Sequence, residues 1–286
     1  MSGRMRKRVL PLGWYPSGEA GVRATLENWQ RAAQERGANA GENAAAVIVP
    51  HAGWTFSGRI AFETLRELKR ECDTVIIVGG HMHEGEGVLA AEEKLFDTPL
   101  GTVENDLEFL DSLTERIVIR SDTVPDNTVE VQLPLVLYLY CALQIVWLRC
   151  GAGDEAIALG RACAESAEAL NKRICVIGST DLTHYGPNYG FTPHGLGAEA
   201  LNWMKNTNDA EIVQAMRDMN SKEVLRLGNE RKAACSSGAA VAAIEFARSS
   251  GIRKGTLVAY ATSHDIHPDD SFVGYAGIAY SEDANR

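Results

Sequence analysis

Four stretches of this sequence carry side chains whose types and spacing suit metal binding or proton transfer. In Pro50-His51-Ala52-Gly53-Trp54 an imidazole follows a residue that cannot continue a strand, and two small residues keep the backbone close to whatever the ring faces. Gly79-Gly80-His81-Met82-His83-Glu84-Gly85 sets two imidazoles on one turn, so His81 and His83 can share an ion, or one can bind it while the other supports it. Ser179-Thr180-Asp181-Leu182-Thr183-His184-Tyr185-Gly186 places a carboxylate one short turn before an imidazole, where Asp181 can orient His184 for ligand or general-base work. Cys235, in Ala234-Cys235-Ser236-Ser237-Gly238, stands at the expected start of a helix, where the backbone dipole favours the thiolate that binds metal or attacks. Each stretch has a plainer reading: a histidine closing a strand, a polar loop, an Asp-capped turn, a small buried thiol. Their combination is what points to a site.

Imidazoles with one thiolate suit zinc, copper or ferrous iron and discourage magnesium and calcium, which prefer oxygen ligands. Trp54 and Phe56 beside His51, Trp14 near the amino terminus and Tyr185 beside His184 are candidate pocket walls. Glu130 and Gln132, at a helix start, are placed to face the same cleft. His264 and His267 lie among Asp265, Asp269 and Asp270, which favours a solvated loop with His264 at the site's edge; His194 carries no signal.

The elements that must position these groups alternate between strand and helix. Apolar runs read as buried strands at 45–49, Asp73–Val78, Gln144–Leu148 and Ile174–Gly178. The first ends at Pro50, and Ser57 is placed to cap a helix from Gly58 to about Glu71. Helical spacing marks Gly21–Arg36, a helix around Leu107, Leu110 and Leu113, Val129–Leu143 despite Pro134, Asp154–Asn171, Gly195–Gly228 with breaks near Asn208 and Asn220, and Cys235–Arg248. Short strands are expected at Gly87–Ala91, Leu100–Val103 and Ile117–Ile119, and closing strands at Thr256–Ala261 and Phe272–Tyr280. The alternation predicts an α/β fold, a central mixed β-sheet flanked by helices, in a single domain over 1–286. In such sheets ligands bind at the carboxyl ends of strands, and three of these strands deliver histidine there.

Composition narrows the function classes. A net charge of −10 over 286 residues disfavours nucleic acid as a partner. The one basic cluster, Arg4–Arg8, lacks a following apolar segment and reads as part of a solvated tail over residues 1–8. The richest apolar run, Val129–Trp147, is broken by Glu130, Gln132, Pro134 and Gln144, so no membrane span is expected. Cysteines 72, 141, 150, 163, 175 and 235 are scattered without a CxxC pair, which fits reduced thiols in a cytoplasmic protein. Nothing in the sequence marks an oligomer interface.

The order Trp14-Tyr15-Pro16, Pro50–Trp54, Gly80–His83, Ser179–Gly186 and Cys235 resembles the Memo family over nearly the whole chain. The resemblance implies a fold similar to the class III extradiol dioxygenases, in which two His and a Glu hold ferrous iron and another His serves as acid/base. It implies copper or Fe(II) binding with redox activity, zinc being the alternative ion. Carried over by motif, His51 and His83 are metal ligands, Cys235 takes the place of the Glu, and His184 is a ligand or acid/base with Asp181 holding its tautomer. His83 fits the Gly-x-x-His spacing best, with His81 the fallback. The chain departs from the family at Asp126-Asn127-Thr128, where Glu-His-Ser is common, at Ser236 after the Cys, and in the second His motif. Three functions compete: a dioxygenase-like oxidoreductase of unknown substrate, a zinc hydrolase, and a non-catalytic binder of a peptide or small ligand. The last is disfavoured by the lack of an Arg cluster beside Trp14, Trp54 and Phe56.

Overall fold

A computed structural model of the chain describes residues 5–37, 41–140 and 143–282. Its strands in chain order are β1 (Met5–Arg6), β2 (Ala44–Val49), β3 (Thr74–Gly79), β4 (Val88–Ala90), β5 (Leu95–Thr98), β6 (Gly101–Asn105), β7 (Ile119–Ser121), β8 (Gln144–Cys150), β9 (Ile174–Ser179), β10 (His184–Tyr185), β11 (Thr256–Thr262) and β12 (Phe272–Ser281). They join in the order β1-β5-β6-β8-β3-β9-β2-β12-β10, with β11 beside β12 and β4 beside β7 and β8. The four central strands β8, β3, β9 and β2 run parallel, and β12 runs antiparallel to β2. The expected α/β architecture, a mixed central sheet with flanking helices, is present.

The apolar runs are buried on both sides because each face of the sheet has its own core. Val47, Ile177, Ile77 and Trp147 are in register across β2, β9, β3 and β8 and pack under the helices Glu19–Glu35, Arg59–Leu65 and Leu133–Leu139. Their neighbours Ala46, Val176, Ile76 and Val146 form the opposite row, packed against the helices Asp154–Leu170 and Ser237–Ser249. Side chains alternate in direction along a strand, so six-residue runs with no polar break can serve both layers.

Several local expectations change. Residues after His51 form a wide helical turn, Trp54–Gly58, before the helix Arg59–Leu65. Ser57 does not cap it; its Oγ donates to the Ala52 carbonyl at 3.0 Å. The helix stops at Leu65 because the next backbone groups turn to the edge of β2, with Ala44 N–H donating to Glu67 O and Lys69 N–H to Ala44 O. Pro134 falls in the first turn of Leu133–Leu139, which splits the expected Val129–Leu143 helix into Asn127–Glu130 and a second piece. The expected tail is also structured from Met5 onward. Met5–Arg6 pairs with Leu95–Phe96, Arg6 lies over the Trp147 ring and bonds Glu93, and Arg8 bonds Asp97. The remainder of the tail, 1–4, and Cys141 lie outside the described residues.

The helix Ser237–Ser249 touches the sheet with almost nothing between backbones. A Cβ on Gly178 of β9 would stand 2.5 Å from the Ala239 carbonyl oxygen, so only glycine leaves room for this approach. Gly178→Ala should therefore lower unfolding free energy by about 1–3 kcal/mol in urea titration, the usual effect of overpacking. Wild-type stability in that variant would mean the helix can shift freely.

Candidate metal centre

Parallel β2, β3 and β9 end at one edge of the sheet, and the segments after them converge. His51 Nε2 lies 3.2 Å from Cys235 Sγ, and the His51 and His81 rings meet edge to face with centroids 5.0 Å apart. Ligand atoms of His51, His81 and Cys235 all lie within 4.8 Å of one another, as do those of Asp181, His184 and Cys235. The sulfur is common to both groups.

Each donor is held from behind. The His51 backbone N–H donates to Asp181 Oδ1 at 2.7 Å, and Ala52 N–H to the same oxygen at 3.3 Å. Ser179 Oγ donates to the Thr128 carbonyl at 2.5 Å, so it accepts from Gln132 Nε2 at 3.1 Å and from His51 Nδ1 at 3.3 Å. That assignment puts a proton on Nδ1 and leaves Nε2 as the nitrogen turned to Cys235. His81 is fixed in the same way: its Nδ1 lies 3.3 Å from Asp126 Oδ2, while Arg149 Nε stands 3.7 Å from that carboxylate and donates to the Gly80 carbonyl at 3.1 Å. His81 has φ 58°, a left-handed conformation rarely held by a side chain without supporting contacts. The turn closes on Ser236, whose Oγ accepts the His81 N–H at 3.1 Å, and a Cβ on Gly80 would stand 2.4 Å from that side chain. Cys235 itself precedes the helix, which begins at Ser237, and its N–H donates to the Asp181 carbonyl at 3.2 Å.

Charge follows geometry. Burial alone would drive the imidazole pKa values down and that of the thiol up. Against it, Asp126 and Cys235 raise His81 to about 10. Asp181 and Cys235 likewise raise His184 to about 10. His51 is raised too, by Cys235 and Asp181. The same imidazoles hold the Cys235 thiol well below its ordinary range, so thiolate is the favoured form. His184 Nε2 is buried without a hydrogen-bond partner, 3.7 Å from Asp181 Oδ2. A thiolate and a carboxylate gathered round imidazole nitrogens form a donor set in which a metal ion could take the place of the ring protons.

The expected site residues divide clearly. His51, His184, Asp181 and Cys235 come together as the motif order implied. At the second motif the structure brings in His81 and leaves His83 on the exposed loop, its backbone N–H bonded to Glu86. The left-handed turn at His81 folds that ring inward, which residue spacing alone does not reveal. Asp181 Oδ2 lies 3.7 Å from His184 Nε2, which puts the carboxylate close enough to the ring and to Cys235 that the three could share one ion.

Two clefts open onto the cluster, one of about 650 Å³ and one of about 400 Å³, and His81, His184 and Tyr189 line both. Trp14 and Phe56 line the smaller cleft, as does His267. His264 is instead tied to its own loop, with Nδ1 3.1 Å from the Asp269 carbonyl. Trp54 and Tyr185 are not walls. Trp54 is buried against Trp29 and Tyr15 and donates to the Val131 carbonyl. Tyr185 stacks on Phe272 and donates to the Gly195 carbonyl. Glu130 holds the amino-terminal segment by accepting from Val9, Leu10 and Tyr15. Asp126 and Ser179 are supports that sequence reasoning did not assign; Asp126 is readable only as a helix cap, whose side chain accepts from Thr128 N–H.

Comparisons with known proteins agree with the motif order. A family model for Memo-like proteins matches residues 11–279. A MEMO1 family protein of Thermococcus onnurineus is 31% identical over 284 residues, covering 93% of this chain and 96% of its own. One from Pyrococcus abyssi is 32% identical, covering 93% and 95%, and one from Methanocaldococcus jannaschii 33%, covering 80% and 81%. A crystal structure of an uncharacterized protein from Escherichia coli K12 shares the fold at TM-score 0.53 and 14% identity, covering 82% of this chain and 99% of its own.

Two outcomes follow from this geometry. His81→Ala should lower metal content in elemental analysis at least tenfold, the scale of losing a ligand or its support, and His83→Ala should not; the reverse result would restore His83 to the site. Asp209 accepts from Thr183 N–H, Thr183 Oγ1 and Tyr260, and burial pushes its carboxyl up to about 7. A raised folded-state pKa gives stability that is full below the unfolded value and is lost as pH rises through about 7. Between pH 5 and 8 the wild type should lose about 2 kcal/mol relative to Asp209→Asn in urea titration, and parallel curves would contradict it.

Proposed function

Since the chain belongs to the Memo-like protein family, we propose that it is a metal-dependent redox protein that binds copper or ferrous iron through His51, His81 and Cys235. The observation that carries this reading is the placement of Cys235 Sγ 3.2 Å from His51 Nε2 and within one ligand group with His81. Two imidazoles and a thiolate favour a soft or borderline ion, and the thiolate in particular suits Cu(I). Such an ion, when bound, supplies a centre that can exchange an electron and accept a small molecule at its open positions.

The chain's own groups supply the rest. Ser179 keeps the proton of His51 on Nδ1, and Asp126 holds His81 by its Nδ1 side, so both rings present Nε2. His184 lines both clefts and Asp181 the smaller one, so His184 Nε2 can give or take a proton from a ligand while Asp181 stabilises the imidazolium. No arginine lines either cleft, which leaves a phosphate-gripping peptide site without its usual donor.

The test is anaerobic purification followed by elemental analysis and electron paramagnetic resonance. Wild-type protein should carry about one copper or iron per chain, and His51→Ala and Cys235→Ser should lose at least about nine-tenths of it. Full metal content in His51→Ala would overturn the assignment. Zinc in place of a redox metal, with turnover that survives exclusion of oxygen, would move the reading to hydrolysis.

A further inference from the structure

The two clefts differ in chemistry. The smaller carries acids but no lysine or arginine, with Asp181 and Asp269 beside the imidazoles and aromatic walls at Trp14, Phe56 and Tyr275. The larger is walled by Met82, Leu182, Tyr189 and Phe191, and Lys232 lines it. Among the described residues no other lysine or arginine lines either cleft. That is notable in a chain of net charge −10.

Lys232 is placed by the backbone. It closes the helix Ser221–Arg231 at φ 50°, a left-handed position where glycine or asparagine costs less, and its Nζ lies over the Phe191 ring, 5.4 Å from the centroid. The aromatic wall is equally fixed. Gly186 N–H donates to the Phe191 carbonyl at 2.8 Å, closing a loop that holds Tyr189 with its ring 4.9 Å from that of His184. The cleft also carries an acid, Glu84, whose side chain packs by Gly153. The cavity thus brings His81, His184 and Cys235 together with apolar walls, one acid and a cation beside an aromatic face.

We infer that the larger cleft binds a small organic anion, a carboxylate carried on an apolar body, with Lys232 anchoring the carboxylate and Tyr189 and Phe191 covering the body. This deepens the metal reading, since it takes the His–Cys cluster as the reactive end, but it stands on different residues. A cavity of about 650 Å³ accommodates a molecule of drug-like size, most of whose contact is apolar, with a few placed polar groups fixing orientation; Lys232 is the one lysine or arginine among them.

The experiment titrates 4-phenylbutyrate and its neutral amide into full-length protein by calorimetry, in metal-free and metal-loaded form, with metal content measured on the same samples. The carboxylate should bind roughly tenfold tighter than the amide, and Lys232→Met should weaken it by a similar factor while Lys232→Arg keeps most of it. Equal binding of carboxylate and amide to the wild type, or wild-type affinity in Lys232→Met, overturns the inference. The amide comparison needs no variant, so it decides the matter even if a substitution unfolds the chain. Wild-type protein that takes up no metal yet binds the carboxylate through Lys232 sinks the metal reading alone. Full metal content with binding indifferent to charge sinks only this one.

Discussion

A sulfur and an imidazole nitrogen lie 3.2 Å apart here because two distant segments are packed at backbone distance. The helix after Cys235 rests on β9 through Gly178 and on the loop after β8 through Gly238, whose added Cβ would stand 2.1 Å from the Gly151 carbonyl. With no side chain interposed, the residue just before that helix has little freedom to move. Cys235 is therefore held at the carboxyl edge of the sheet, where β2 delivers His51. Placement of a functional atom by close backbone packing costs no side-chain entropy in the site itself.

The same economy governs the supports. Ser179 is the last residue of β9 and interacts with His51, Gln132 and the Thr128 carbonyl through one oxygen. Asp126 is a helix cap that also sits beside His81, and it is held at about 2, well below the carboxylate norm, by His81 and Thr128 against the opposing effect of burial. Asp181 spends one oxygen on two backbone N–H groups and turns the other to the cluster. A group fixed by structure on one side can present a defined charge on the other, which is the preorganisation a reactive centre needs.

Much of this was legible in the sequence. Apolar runs ending in Pro50-His51, Gly80-His81 and Ser179-Thr180-Asp181 announce buried parallel strands whose carboxyl ends carry the chemistry. What escaped depends on conformation or on three-dimensional neighbours. The choice between His81 and His83 turns on one left-handed residue. Trp54 and Tyr185 carry aromatic rings that a pocket or a core would use equally well, and the core took both. β5 and the pairing of β1 with it were hidden because strands this short carry no periodicity.

That last pairing bears on the centre as well. Arg6 in β1 bonds the Asp122 backbone and stands 3.9 Å from its carboxylate. Asp122 lies 3.4 Å from Arg149, which in turn braces the Gly80 carbonyl and faces Asp126. Buried ion pairs contribute little net stability, because desolvation offsets much of their attraction. Their consequence is directional: Arg149 can satisfy Gly80, Asp122 and Asp126 together only when the turn bearing His81 lies in one place. A hydrophobic replacement of Arg149 could fill the same volume, but it would take from that turn the bond to the Gly80 carbonyl and the brace on Asp126. The ring that completes the cluster is thus positioned by a chain of charges running from the amino-terminal strand, through β8, to the end of β3.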